Sequence, residues 1–326
     1  MNTKAIVIHE HGGPEQLRWQ EVELLPPKPD EVRIRHRAVG LNYIDVYHRT
    51  GAYPTPPLPF IPGMEAAGIV EAVGRDVADF AEGDRVAYAN PPLGAYSEVR
   101  NMLAGRLVKL PDKIDFESAA AMMLQGMTAE YLLRRTFPVQ SGQTVLFHAA
   151  AGGVGLIFCQ WAKRLGATVI GTVGSEEKAQ IAKAHGCDHT ILYREENVVA
   201  RVKEITQGQG VPVVYDGVGK DTWTDSLDCL SPRGMMVSFG SASGKVAPVK
   251  LEELTARGSL YLTRPTLMTY TADTRELRDS AAALFDQVLT GAVRIEIGQR
   301  FNLADAAEAH RALEARETTG STILLP

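Results

Sequence analysis

SGQTVLFHAAAGGVGLIFCQWAK, residues 141–163, is the stretch that decides the fold. Thr144–His148 is a short apolar run with the length of a buried strand. Ala149–Gly155 (AAAGGVG) follows, and a second apolar run opens at Leu156. A strand, a tight glycine turn and a helix are therefore expected in direct succession. The first N–H groups of such a helix have no intrahelical partner and carry the positive end of its dipole. That is a ready site for a diphosphate, and the pattern is read as a modified dinucleotide fingerprint over Gly152, Gly153, Val154 and Gly155. The plainer alternative is a βα turn with no ligand. The context argues against it: a strand stands before the turn, a helix after it, and a further strand begins at Thr168.

Downstream the alternation continues. Strands are expected at Thr168–Val173, Cys187–Leu192, Val211–Tyr215 and Gly234–Gly240, with helices between them. This is the rhythm of a parallel sheet covered on both faces. Upstream, the first 110 residues read as many short strands with glycine and proline turns, a curled antiparallel sheet or partial barrel. A helix is expected from Phe116 with Asp115 as its cap, broken at Gln125–Thr128 and resumed at Ala129. The tail, with a long helix over Thr274–Thr290 and a closing strand near Thr318–Leu325, is expected to return to the first region. The fold class is α/β: a doubly wound Rossmann sheet beside a partial β-barrel domain.

Bulk properties exclude several functions. The 326 residues carry 34 basic and 39 acidic side chains, a net charge of −5, and no block of like charge. Nothing steers the chain to nucleic acid or an anionic membrane. No run reaches the roughly 18 apolar residues of a membrane span. Cys159, Cys187 and Cys229 are dispersed and lack paired spacing, so neither a disulfide framework nor a structural zinc is suggested. A reducing, soluble compartment is expected, hence a cytoplasmic protein.

The end of the second Rossmann strand separates the two common dinucleotides. An acid usually stands there to hold the ribose 2′-OH of NAD. Here Thr172-Val173-Gly174-Ser175 offers none. Ser175 opens a helix and Lys178 lies one turn in, which suits a 2′-phosphate. Glu176 and Glu177 stand against this unless they are first-turn acids that face solvent. The expectation is NADPH. Tyr193 is either a stacking partner for its adenosine end or a partly buried aromatic. Phe239-Gly240-Ser241 closes a later parallel strand, at the edge where ligands sit.

A catalytic zinc needs about three protein ligands. Glu65 is one possible ligand, but no set can be assembled around it, so no metal is expected. No activated nucleophile stands out either, which leaves hydride transfer. Asn42, Tyr47 and Tyr53 are polar groups in a non-regular stretch, where binding residues are common. They are candidates to seat a flat acceptor, with partly exposed core packing as the alternative for each tyrosine. Thr128 is a further candidate hydroxyl, or a local helix cap.

Several motifs together carry a resemblance over essentially the full chain. They are Asn42-Tyr43-Ile44-Asp45 with Tyr53-Pro54, Pro62-Gly63-Met64-Glu65-Ala66-Ala67-Gly68 and Gln125-Gly126-Met127-Thr128-Ala129. His148–Gly155, Tyr215-Asp216-Gly217-Val218-Gly219 and Phe239-Gly240 to Gly244 complete the set. The chain resembles the quinone oxidoreductase (zeta-crystallin-like) branch of the medium-chain dehydrogenase/reductase superfamily. The resemblance implies a GroES-like catalytic domain over 1–125 and 265–326 around a Rossmann domain over 126–264. It implies NADPH, a quinone substrate, no zinc and a homodimer, with Lys245–Thr263 offering an edge strand for the two-fold. Zinc-dependent relatives carry Cys where Asn42 stands and His where Met64 stands. The resemblance gives Asn42, Tyr47 and Tyr53 to substrate or nicotinamide. It gives Gly152, Gly153, Gly155, Lys178, Tyr193, Ser241 and Arg316 to the cofactor, Arg316 at its 2′-phosphate.

Overall fold

The computed structural model describes all residues, Met1–Pro326. Contacts divide the chain into two units: Met1–Met127, Thr271–Leu289 and Ile295–Pro326 form unit 1, and Thr128–Tyr270 with Thr290–Arg294 form unit 2. The division differs by a few residues from boundaries at 125/126 and 264/265, and assigns the short 290–294 segment to unit 2.

Unit 1 opens with strands β1 (Asn2–Val7), β2 (Arg18–Glu23) and β3 (Glu31–Leu41). Helix α1 (Tyr43–Arg49) follows, then β4 (Glu65–Val73), β5 (Arg85–Ala89), β6 (Val99–Leu103) and β7 (Val108–Lys109). β1 and β2 pair as a separate antiparallel ribbon. The eleven-residue β3 pairs with β4 along most of its length and with β6 over Glu31–Arg35. A strand that shares partners in this way curls its sheet, which gives the barrel-like, GroES-like unit. Its alternating residues Val32 and Ile34 enter a core with Val70, Val86, Tyr88 and Met102.

Helix α2 (Phe116–Tyr131) carries the chain across the division and ends in a wider π-type turn over Leu132–Thr136. Asp115 caps it, accepting from Ser118 N at 2.8 Å and Ser118 Oγ at 2.7 Å. The break expected at Gln125–Thr128 is absent. Glycine inside a helix costs about 1 kcal/mol relative to alanine. Gly126 is there because a Cβ would sit 2.5 Å from the Leu284 methyls, so close packing outweighs the propensity.

Unit 2 alternates β8 (Thr144–Phe147), α3 (Gly153–Arg164), β9 (Thr168–Val173), α4 (Glu176–Ala184), β10 (His189–Leu192), α5 (Val198–Ile205), β11 (Val211–Asp216), α6 (Trp223–Cys229) and β12 (Leu230–Ser238). Helix α7 (Leu251–Ala256), β13 (Tyr261–Thr263) and α8 (Leu267–Tyr270) complete it. Six parallel strands lie in the order β10-β9-β8-β11-β12-β13. The order reverses beside β8, the switch point where a doubly wound sheet binds ligands. Leu146, Ile170, Ile191, Val214 and Met236 carry the strands' contribution to one apolar core.

The chain then returns to unit 1 as α9 (Thr274–Leu289), β14 (Ile297–Asn302), α10 (Ala306–Glu314) and β15 (Ser321–Leu325). β15 lies antiparallel to the end of β3, from Val39 to Leu41, and parallel to β14. No helix is long and apolar enough to cross a membrane.

Candidate active site

Two groups of candidate residues stand out, and each belongs to one unit. In unit 2, the turn after β8 leads into α3 with Gly152 as a cap that offers no side-chain bond. The first intrahelical bond runs from Leu156 N to Gly152 O at 2.9 Å. The N–H groups of Gly153, Val154 and Gly155 therefore precede the helical ladder. A Cβ on Gly155 would sit 2.6 Å from both Ala149 O and Ala150 O, so only glycine lets the helix start this close to the strand end. These are bare backbone donors at a positive helix end, and they fit a diphosphate.

One strand over, Ser175 caps α4, and its Oγ accepts from Lys178 N at 3.3 Å. Lys178 is half-buried, whereas Glu176 and Glu177 are exposed in the first turn. Exposed acids in a first turn favour the helix dipole. Tyr193 stands just past β10, 40 % exposed, and its hydroxyl lies over Gly174. Ser175, Lys178 and Tyr193 come together at the ends of β9 and β10, where no acid closes β9.

At the end of β12, Phe239 packs on Phe147 with ring centroids 5.7 Å apart. Arg264, which sequence reasoning did not single out, clamps the turn that follows. Its Nη1 donates to Ser238 O (3.0 Å), Ser238 Oγ (3.1 Å) and Gly240 O (2.7 Å), and its Nη2 to Ser241 Oγ (3.0 Å). Nothing in the local sequence links an arginine after β13 to a turn after β12. Thr128 is a buried residue inside α2, at the first position of unit 2.

In unit 1, Asn42 stands between β3 and α1, at the N-cap of α1. It is buried, and its amide is engaged on both sides: Nδ2 donates to Glu65 Oε2 at 2.5 Å, and Oδ1 accepts from Gln125 Nε2 at 3.2 Å. Gln125 Oε1 in turn accepts from Ser321 Oγ at 2.6 Å. Leu124 N donates to Glu65 Oε1 at 2.8 Å. Burial pushes the Glu65 carboxyl up to about 8, against the pull of these donors. Tyr47 and Tyr53 meet with ring centroids 4.7 Å apart, and Tyr43 joins Tyr47 edge-on at 5.4 Å. Tyr43 was missed as a member, although its i, i+4 spacing to Tyr47 on a helix predicts the contact. Tyr47 and Tyr53 are thus brought together, whereas the contacts of the Asn42 amide are with Glu65 and Gln125. Arg316 lies in unit 1, exposed just after α10, with φ +62°.

Two family descriptions match the chain: "Alcohol dehydrogenase GroES-like domain" over residues 28–139 and "Zinc-binding dehydrogenase" over residues 153–283. The class is therefore a two-domain dehydrogenase with a GroES-like and a Rossmann domain. The residues do not fit the zinc of the second description, because no group of three or more His, Cys, Asp or Glu stands together to hold a metal. Asn42 and buried Met64 supply neither thiolate nor imidazole. The chain is 57 % identical to a quinone oxidoreductase of Pseudomonas aeruginosa, over 99 % of each chain. It is 48 % identical to a 2-haloacrylate reductase of Burkholderia, over 99 % of this chain and 98 % of that one. The crystal structure of Escherichia coli quinone oxidoreductase complexed with NADPH superposes with a TM-score of 0.96 at 50 % identity, covering 99 % of this chain and all of that one. The chain belongs to the zinc-independent quinone oxidoreductase (zeta-crystallin-like) family of medium-chain dehydrogenases/reductases.

Proposed function

We propose that this chain is an NADPH-dependent quinone reductase that works without a metal. The observation that carries the reading is the group Ser175, Lys178 and Tyr193 beside a β9 end that lacks an acid. A cation and a helix N-terminus suit a 2′-phosphate, and the missing carboxylate removes the usual NAD contact. When bound, NADPH supplies the hydride from C4 of its nicotinamide. The chain's own residues then bind and orient. The N–H groups of Gly153, Val154 and Gly155 take the diphosphate, and Lys178 with Ser175 takes the 2′-phosphate. Phe239 and Ser241 face the nicotinamide end. Asn42, held by Glu65 and Gln125, offers an amide to the acceptor, and Tyr47 with Tyr53 offers a flat aromatic wall. The family resemblance gives Arg316 to the 2′-phosphate, and Thr128 is a further candidate hydroxyl for the acceptor.

The test is kinetic. Lys178→Ala should raise KM for NADPH roughly tenfold or more, the scale of one lost charge-assisted bond, and leave KM for NADH unchanged. Preference of the wild type for NADH, or an unchanged KM for NADPH in the variant, overturns the 2′-phosphate assignment. A second reading has one observation in its favour, the 48 % identity to a 2-haloacrylate reductase. Reduction of an activated C=C bond needs a proton at carbon as well as the hydride, and a Tyr47 or Tyr53 hydroxyl is the proposed donor. Turnover of enones far above quinones in one preparation selects this reading.

The reading includes a homodimer formed along β13. That strand is the edge of the parallel sheet, and its Tyr261 and Leu262 are 61 % and 40 % exposed. Three unpaired cysteines suit a cytoplasmic enzyme.

A further inference from the structure

Four buried polar side chains lie beneath the nucleotide turn and are used by nothing above: Thr172, His148, Ser226 and Asp216, each at most 2 % exposed. Their placement follows from the sheet register. Phe147 of β8 stands opposite Gly171 of β9 and Tyr215 of β11. The next row therefore sets Thr172, His148 and Asp216 side by side, and α6 brings Ser226 onto them. His148 Nδ1 lies 3.0 Å from Thr172 Oγ1, and its Nε2 lies 3.0 Å from Ser226 Oγ. Ser226 Oγ lies 2.8 Å from Asp216 Oδ2.

The proton positions follow by elimination. A carboxylate only accepts, so the Ser226 hydroxyl donates to Asp216. Ser226 Oγ must then accept from His148, which puts the imidazole proton on Nε2. His148 Nδ1 is left as an acceptor, so the Thr172 hydroxyl donates to it. Thr172 Oγ1 in turn accepts from the backbone N–H of Ala149 at 3.3 Å. The chain thus runs one way, from Ala149 N–H through Thr172, His148 and Ser226 to Asp216, and bonds aligned in this way polarise one another. Burial lowers the His148 pKa and keeps the ring in the neutral form that this direction requires.

Both ends of the chain hold a turn. Ala149 has φ +60°, a left-handed conformation that a residue with a Cβ adopts only when its surroundings hold it there. It begins the turn that aims the N–H groups of Gly153, Val154 and Gly155. At the other end, Asp216 Oδ1 accepts from Val218 N at 2.7 Å and Gly219 N at 2.9 Å, which shapes the turn after β11. We propose that Thr172, His148, Ser226 and Asp216 form a positioning network that locks these two turns in register and thereby sets the affinity for NADPH. The inference rests on the reading of this turn as the NADPH site.

Thr172→Val keeps the shape and removes the hydroxyl, whereas Thr172→Ser keeps the hydroxyl. In direct fluorescence titrations of the full-length enzyme, Thr172→Val should weaken NADPH binding about tenfold, the scale of a buried bond left unmade, and Thr172→Ser should stay near wild type. kcat at saturating NADPH should stay within about twofold, because the network touches no reacting atom. Without nucleotide, amides over residues 149–155 should exchange faster in the valine variant than in wild type. Ser226→Ala, which orphans His148 Nε2, should move affinity and exchange the same way. Wild-type affinity in Thr172→Val or Ser226→Ala, or equal losses in the valine and serine variants, overturns the network while leaving the NADPH site intact. Wild type that fails to bind NADPH overturns the site itself.

Discussion

Glu65 is a fully buried carboxyl, and burial is the largest influence on it. Asn42 and Leu124 donate to it and favour its charged form, while the nearby Asp45, itself pushed up to about 7 by burial, disfavours that form. Because the folded value of about 8 lies above the ordinary carboxylate range, the native state keeps a proton that the unfolded chain gives up. That contribution to stability is complete below the ordinary range and is lost as pH rises through about 8. Glu65→Gln removes the titration. The Tm of wild type minus that of the variant should therefore fall steadily between about pH 5 and pH 8. A difference that does not change with pH shows that Glu65 is charged throughout. Residues of this kind divide by how they are found. Ser175 and Lys178 were legible because a helix cap and its first turn are local in sequence. His148 bonds Ser226 across 78 positions, and only the sheet register brings the two together. A polar residue at or next to the end of each apolar strand was the one visible sign, in His148, Thr172 and Asp216.

Among the elements, α1 matters most for the proposed acceptor side because it carries Tyr43 and Tyr47. At seven residues it is too short to persist alone and depends on what ties it down. Asp45 Oδ2 accepts from Asn42 N at 3.0 Å and from the Tyr96 hydroxyl at 3.1 Å. Buried Arg49, at the other end, forms a two-bond fork with Glu314 at 2.9 and 2.8 Å and donates to His310 Nδ1 at 3.0 Å. His310 Nε2 reaches Tyr96 at 3.1 Å, so one tyrosine joins both anchors. Tyr96→Phe should lose about 1–2 kcal/mol in urea unfolding and raise KM for the acceptor more than KM for NADPH. Equal KM changes for both substrates would mean that the anchor does not act through α1. The sequence divided α2 at Gln125–Thr128, where the helix is continuous. Packing on Leu284 retains Gly126, and that partner is far away in sequence.

At the scale of the whole molecule, the two unit types were readable, since strand–helix alternation and short proline-bounded strands differ in composition. The proposed dimer belongs to this scale too. Sedimentation should give twice the mass of one chain, and Tyr261→Lys, which places a charge on the exposed edge, should shift the protein to monomer. A wild type that sediments as a monomer removes the edge-strand proposal.

Unit 1 is interrupted by unit 2, and this fixes an order of events at the ribosome. All six strands of unit 2 have been made by Thr263, whereas β15, which β3 needs along Val39–Leu41, is not made until Ser321–Leu325. At about 5–20 residues per second, the end of β3 waits on the order of tens of seconds for its partner. For the last part of that wait, about 3–12 s after Thr263, the nascent chain holds all six strands of the nucleotide domain while the sheet of unit 1 still has an open edge. The exposure of an unpaired sheet edge therefore falls before release of the chain, and it falls on unit 1.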